Sequence, residues 1–109
     1  MSEAQVPYLV PNIISLPDDF DEGLAGIPEH LRGGIERYVH HGILPGGFLL
    51  ACLHDSLTTT VYRAGPKVVS EIPNVVAFLV GYMPRDAWGS PEQVKRWAAM
   101  GGLIGRNHG

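Results

Sequence analysis

Few residues of this 109-residue chain belong to types that do metal or nucleophilic chemistry. Four of the five histidines, His30, His40, His41 and His54, could in principle form a nitrogen-rich metal site. Metal binding needs ligands that converge in number and geometry. Adjacent helical residues project about 100° apart, so His40 and His41 cannot easily face one ion. The chain has no His-x-x-x-His pair and no Glu-x-x-His on one face. His40 and His41 instead suit a helix C-terminus, where a cation favours the dipole. Cys52 lies in Phe48-Leu49-Leu50-Ala51-Cys52-Leu53, an apolar run in which cysteine behaves as a small hydrophobe. His54, two residues on, falls on another helix face, so no Cys/His catalytic pair forms locally. Asp18, Asp19, Asp21 and Glu22 lack the fuller oxygen pattern of a hard-cation loop and read as a solvated turn. With no nucleophile–base pair, no paired carboxylates and no metal motif, the expectation is a protein that is not an enzyme and carries no metal or cofactor.

Anion chemistry is better represented. Gly42-Ile43-Leu44-Pro45-Gly46-Gly47 is a glycine-rich turn entering a helix, where unpaired N–H groups and a positive dipole end meet. It is not a phosphate-binding Walker loop, because no Gly-Lys-Ser/Thr follows. A short interhelical loop that needs glycine for φ > 0 gives the same pattern. Arg63, in a polar group with Asp55 and Tyr62, presents a fixed fork suited to phosphate or carboxylate, or pairs with Asp55 to hold a bend. Trp88, beside Arg85, stacks on a base or packs as a hydrophobic staple ahead of Ser90. The candidate ligand-binding set is therefore Gly46, Gly47, Asp55, Tyr62, Arg63, Lys67, Arg85 and Trp88. Gly46 and Gly47 offer backbone N–H groups, Arg63 with Lys67 or Arg85 neutralises phosphate, and a tyrosine or tryptophan stacks on a base.

These groups must be positioned by short helices. Pro7, Pro11 and Pro17 exclude a continuous helix from the first part of the chain. Residues 1–27 read as an irregular, proline-rich N-terminal arm, too apolar over 6–16 for a solvated tail, and expected to lie across the domain or a neighbouring subunit. A helical domain is expected over 28–100. Its first helix covers about 28–41, with Leu31, Ile35, Tyr38 and Val39 at helical spacing and Gly42 as the terminating glycine. Gly33 and Gly34 each weaken it by about 1 kcal/mol, which implies close packing there. A second helix starts near Pro45. Asp55 reads as the N-cap of a turn over 56–64. The β-branched Thr58, Thr59 and Thr60 leave a strand over 57–62 as an alternative. Gly65-Pro66 marks a stop or sharp turn. The helix over about 73–82 is apolar nearly all round and is expected at the centre of the core. Ser90-Pro91-Glu92-Gln93 is a capping box that opens the last helix, and residues 101–109 read as a frayed C-terminal tail. The fold class is mainly α, a compact bundle of four to five short helices.

Hydrophobic residues make up 45% and charged residues 17%, the balance of one globular domain. A formal net charge of −3 with scattered basic residues gives no stripe for a nucleic-acid polymer. No apolar run is long enough to cross a bilayer. One cysteine and no export signal near Met1 lead to an expected cytoplasmic location. A small chain with nine prolines, an apolar arm and an almost wholly apolar helix has more hydrophobic surface than its core hides, which favours a homo-oligomer.

Several segments resemble a group of small uncharacterised proteins of tailed phages and prophages. These are Ile27-Pro28-Glu29-His30-Leu31-Arg32, Arg37-Tyr38-Val39, His41-Gly42-Ile43, Pro45-Gly46-Gly47-Phe48-Leu49, Arg63-Ala64 and Trp88-Gly89-Ser90-Pro91-Glu92-Gln93-Val94-Lys95. The resemblance covers about residues 27–97. It departs at Asp55-Ser56-Leu57, where the group tends to show Asn-Asp-Leu, and at Arg63-Ala64-Gly65, where it tends to show Arg-Ala-Asp. It implies a viral accessory protein and, by looser analogy with phage anti-defence sponges for cyclic nucleotides, a non-enzymatic binder acting in the host cytoplasm. Such a protein sequesters a small anionic, nucleotide-like ligand in a pocket of a helical homo-oligomer. The alternative is an interaction module that inhibits a host protein through the apolar arm.

Overall fold

The computed structural model describes residues 16–108. They form short α-helices without a strand among them. In chain order these are α1 (Phe20–Ala25), α2 (Glu29–His41), α3 (Gly47–Leu53), α4 (Leu57–Val68), α5 (Ile72–Tyr82), α6 (Pro91–Ala99) and α7 (Gly102–His108). Single 3₁₀ turns at Val69–Glu71 and Arg85–Ala87 link α4 to α5 and lead towards α6. The expected compact helical bundle is thus present, and the strand alternative over 57–62 is replaced by helix.

One core runs through the bundle. Phe20, Leu24, Ile27, Leu31, Ile35, Tyr38, Val39, Leu49, Cys52, Leu53, Val75, Phe78, Leu79, Val94 and Trp97 are buried in it together. Its polar atoms are paired. The Tyr38 hydroxyl donates to the Ala87 carbonyl, and the Trp97 indole N–H donates to the Tyr38 carbonyl at 3.0 Å. Two helices and the 3₁₀ turn before α6 are thereby fixed to one another through buried hydrogen bonds, which cost free energy if left unmade.

The helix limits follow local chemistry where that chemistry is strong. Gly42 ends α2 in the left-handed conformation with φ 73°. The Ser90 hydroxyl accepts from the Gln93 backbone N–H at 3.2 Å and caps α6, with Pro91 in its first turn. Ser90→Ala is expected to lower stability by about 1 kcal/mol, measured as a shift in the urea midpoint at constant slope. Gly65, at φ 68° and ψ 178°, kinks α4 where Gly65-Pro66 signalled a break. Gly34 also meets its expectation: a Cβ there would sit 3.2 Å from Leu49 Cδ1, so α2 and α3 approach closely at this point.

Four expectations are corrected. Residues 16–27 are not an irregular arm, because Phe20–Ala25 is helical and buries Phe20 and Leu24. Phe20 meets the Phe78 ring edge-on at 5.5 Å, and Arg32 donates to the Ala25 and Ile27 carbonyls at 2.9 and 2.6 Å, closing the end of α1. The rest of the arm, residues 1–15, lies outside the described residues, and so does its expected placement. Nor are residues 101–108 a frayed tail. Gly102–His108 is a helix packed on α2, with Leu103 against the core. Asp55 is not an N-cap. It follows the end of α3 at φ 60°, its N–H donating to the Cys52 carbonyl and the Ser56 N–H to the Ala51 carbonyl, and Ser56 precedes α4 instead. This is the glycine position of a Schellman ending, here held by aspartate. Finally, α5 is buried on one side only: Val75, Phe78 and Leu79 are enclosed, whereas Val80 is 71% exposed.

Candidate functional site

Six of the eight candidate residues divide between two places. Gly46 and Gly47 line a cavity of about 380 Å³ between α2 and the loop that enters α3. Arg63 reaches the same spot from α4, for a Cβ on Gly47 would lie 2.9 Å from its guanidinium NH1. Asp55, Arg85 and Trp88 line a different cavity, of about 410 Å³. Tyr62 is 84% exposed, Lys67 is exposed on the far side of the Gly65 kink, and neither lines either cavity. The Asp55–Arg63 pair also does not form, because Arg63 lies over Gly47 and the ion pair found among the described residues is Arg106–Asp86 at 3.3 Å.

The first cavity owes its shape to small residues. Gly34 lets α3 approach α2, while Pro45, Gly46 and Gly47 keep the connection narrow. Its charged or titratable lining residues are His30 and Arg37, both from α2. They stand seven residues apart with Gly34 between them, which places all three on one helix face. The Arg37 guanidinium folds back along α2, since a Cβ on Gly33 would lie 3.0 Å from its NH1. Among the described residues no carboxylate lines this cavity. The sequence reading missed His30 and Arg37. Their i, i+4, i+7 spacing with Gly34 is the signal that could have found them.

The dipole at the start of α3 is weaker than the glycine-rich turn implied. The helix has seven residues, and no side chain caps it at Gly46. The macrodipole summed over two turns is small and falls off within the first turn. The side-chain cations around the cavity therefore carry most of its attraction for an anion. The apolar part of the rim is Phe48, which is half-buried, with Ile43 and Leu44, 52% and 54% exposed.

Cys52 is buried, and burial pushes its thiol above the ordinary value, although a hydrogen bond with Thr60 acts the other way. A thiol held protonated is a poor nucleophile. Burial also pushes the Tyr38 hydroxyl well above the ordinary phenol range. A raised acid pKa means that the folded state keeps a proton the unfolded chain releases. Stability is then fully present below about pH 10 and declines as pH rises beyond it. Tyr38→Phe is expected to flatten that alkaline decline in urea melts. Among the described residues no group of three or more His, Cys, Asp or Glu side chains could hold a metal, and no helix is long and apolar enough to cross a membrane. Comparison with known proteins finds no matching family model, no matching curated sequence and no matching solved structure.

Proposed function

We propose that the protein is a non-enzymatic binder of a small anionic, nucleotide-like ligand, held in the cavity between α2 and α3. One observation supports this most. The cavity is lined by His30 and Arg37 of α2 and by Gly46 and Gly47, with Arg63 against Gly47 and no carboxylate among its described lining residues. Guanidinium groups bind phosphate oxygens in a fork, and a neighbourhood of one sign raises the local anion concentration. Phe48, Ile43 and Leu44 would receive the apolar part of the ligand. This replaces the stacking role first given to Tyr62 or Trp88.

A second copy of the chain would cover Ile43 and Leu44 and close the cavity, so the reading includes a homo-oligomer. The resemblance to phage proteins adds a context, in which an anti-defence protein sequesters a signal nucleotide without changing it. The rival reading, inhibition of a host protein through the apolar segment at 6–16, rests mainly on residues outside those described.

Differential scanning fluorimetry with pyrophosphate, adenosine monophosphate and a cyclic dinucleotide tests the proposal. A ligand that binds only the folded state must raise the melting temperature. Arg37→Glu and Arg63→Glu should each weaken binding about 10-fold or more, the scale of a lost charge-assisted hydrogen bond. Lys95→Glu, at an exposed position of α6, should not. An unmoved melting temperature with all three anions would sink the reading, as would equal affinity in the Arg37 and Arg63 variants.

A further inference from the structure

The second cavity points to a ligand of another kind. Its two charged residues are of opposite sign, Asp55 and Arg85. They share the cavity, yet no ion pair joins them among the described residues. Two unmatched opposite charges around one hollow complement a molecule that carries both charges itself. The same cavity is lined by Val80, Met83 and Trp88, an apolar surface suited to a hydrocarbon or aromatic body.

Both charges stand on braced backbone. Asp55 is the one non-glycine residue with positive φ among the described residues. Its left-handed conformation is fixed by the Asp55 and Ser56 N–H groups, which donate to the Cys52 and Ala51 carbonyls at 3.0 and 3.1 Å. Glycine is usual at this position, and a residue held there at some cost in strain is a recognised mark of functional sites. Across the cavity, the Arg85 carbonyl accepts from Gln93 Nε2 at 3.4 Å. The Gly89 N–H donates to the Leu53 carbonyl at 2.8 Å, tying the Trp88–Gly89 segment to the end of α3. The cavity walls are therefore cross-linked to one another.

We propose that this cavity binds a free zwitterionic amino acid with an apolar side chain. Its ammonium lies against Asp55, its carboxylate against Arg85 and its side chain on Val80, Met83 and Trp88. The proposal uses none of the residues of the anion cavity and stands or falls separately from it.

The test is a titration of the isotopically labelled full chain with L-phenylalanine, followed by amide chemical shifts. Saturable shifts are expected at Asp55 and Gly89. L-phenylalaninamide, which lacks the carboxylate, and N-acetyl-L-phenylalanine, which lacks the ammonium, should each bind about 10-fold more weakly or worse. Asp55→Asn should erase the preference for L-phenylalanine over the N-acetyl form, and Arg85→Gln the preference over the amide. Asparagine tolerates the left-handed conformation and Arg85 is exposed, so both variants keep the fold. No saturable shift with L-phenylalanine, or equal binding of either blocked form, overturns the proposal.

Discussion

Gly102→Ala is expected to cost roughly 2–5 kcal/mol of stability, combining a left-handed alanine with overpacking. Gly102 has φ +72°, and a Cβ on it would lie 2.5 Å from the Gly42 nitrogen and 2.6 Å from the His41 nitrogen. Those are backbone atoms in the last turn of α2, so no side-chain rotation relieves the contact. The approach is mutual, because a Cβ on Gly42 would lie 2.8 Å from the Gly102 nitrogen at φ +73°. Two glycines thus form the crossing of α7 over the end of α2. Against a total stability of about 5–15 kcal/mol, loss of either removes a large share. Urea unfolding of Gly102→Ala beside Gly81→Ala checks this. Gly81 lies in α5 with nothing within 4 Å of an added Cβ, so its alanine should be neutral or stabilising by up to about 1 kcal/mol. Equal midpoints for the two variants would mean that the crossing does not exist.

Trp97→Ala should cost about 3–5 kcal/mol, the range for emptying a large aromatic site in a core. Trp97 and Tyr38 are both 0% exposed, and the indole N–H donates to the Tyr38 carbonyl at 3.0 Å. That carbonyl also accepts from the Gly42 N–H at 2.9 Å, so it keeps a partner when the indole goes. The loss is then mainly one of packing. Trp97→Phe, which restores most of the ring, should recover more than half of it. Calorimetric melts of the three proteins decide the matter. A melting temperature for Trp97→Ala within a degree or two of the parent would contradict the buried position.

Legibility in the sequence followed the range of the interaction that sets each feature. The α6 cap at Ser90, the Gly42 ending and the Gly65 kink depend on a few neighbouring residues, and each could be read from those residues. The stripe of Leu31, Ile35, Tyr38 and Val39 was equally plain, because period alone defines it. Two helices escaped for the opposite reason. α1 holds Gly23 and α7 holds Gly102 and Gly105, and helices this short are marginal without tertiary contacts. Tertiary contacts such as Phe20 on Phe78 and Gly102 on Gly42 make them worth forming. At Asp55 the residue type favoured an N-cap, but the register of α3 placed it one step past a helix end instead. The composition of α5 showed that it is apolar and could not show which flank its neighbours leave uncovered. Of the candidate site, the approach of Arg63 to Gly47 joins two residues that the sequence had grouped by chemistry. The separation of Asp55, Arg85 and Trp88 into their own cavity was not, since it depends on how α3, α5 and the turn before α6 come together.

The break at Gly65 bears on how the molecule loosens. Its φ of 68° and ψ of 178° interrupt the amide ladder of α4. The stretch before it, resting on α3, and the stretch after it, leading through Val69–Glu71 into α5, no longer share a continuous chain of intrahelical bonds. Opening of one need not propagate to the other, so the two behave as separate units of local unfolding. Deuterium uptake should therefore divide sharply at this residue, with the amides of residues 67–71 exchanging early while those of residues 60–64 remain protected.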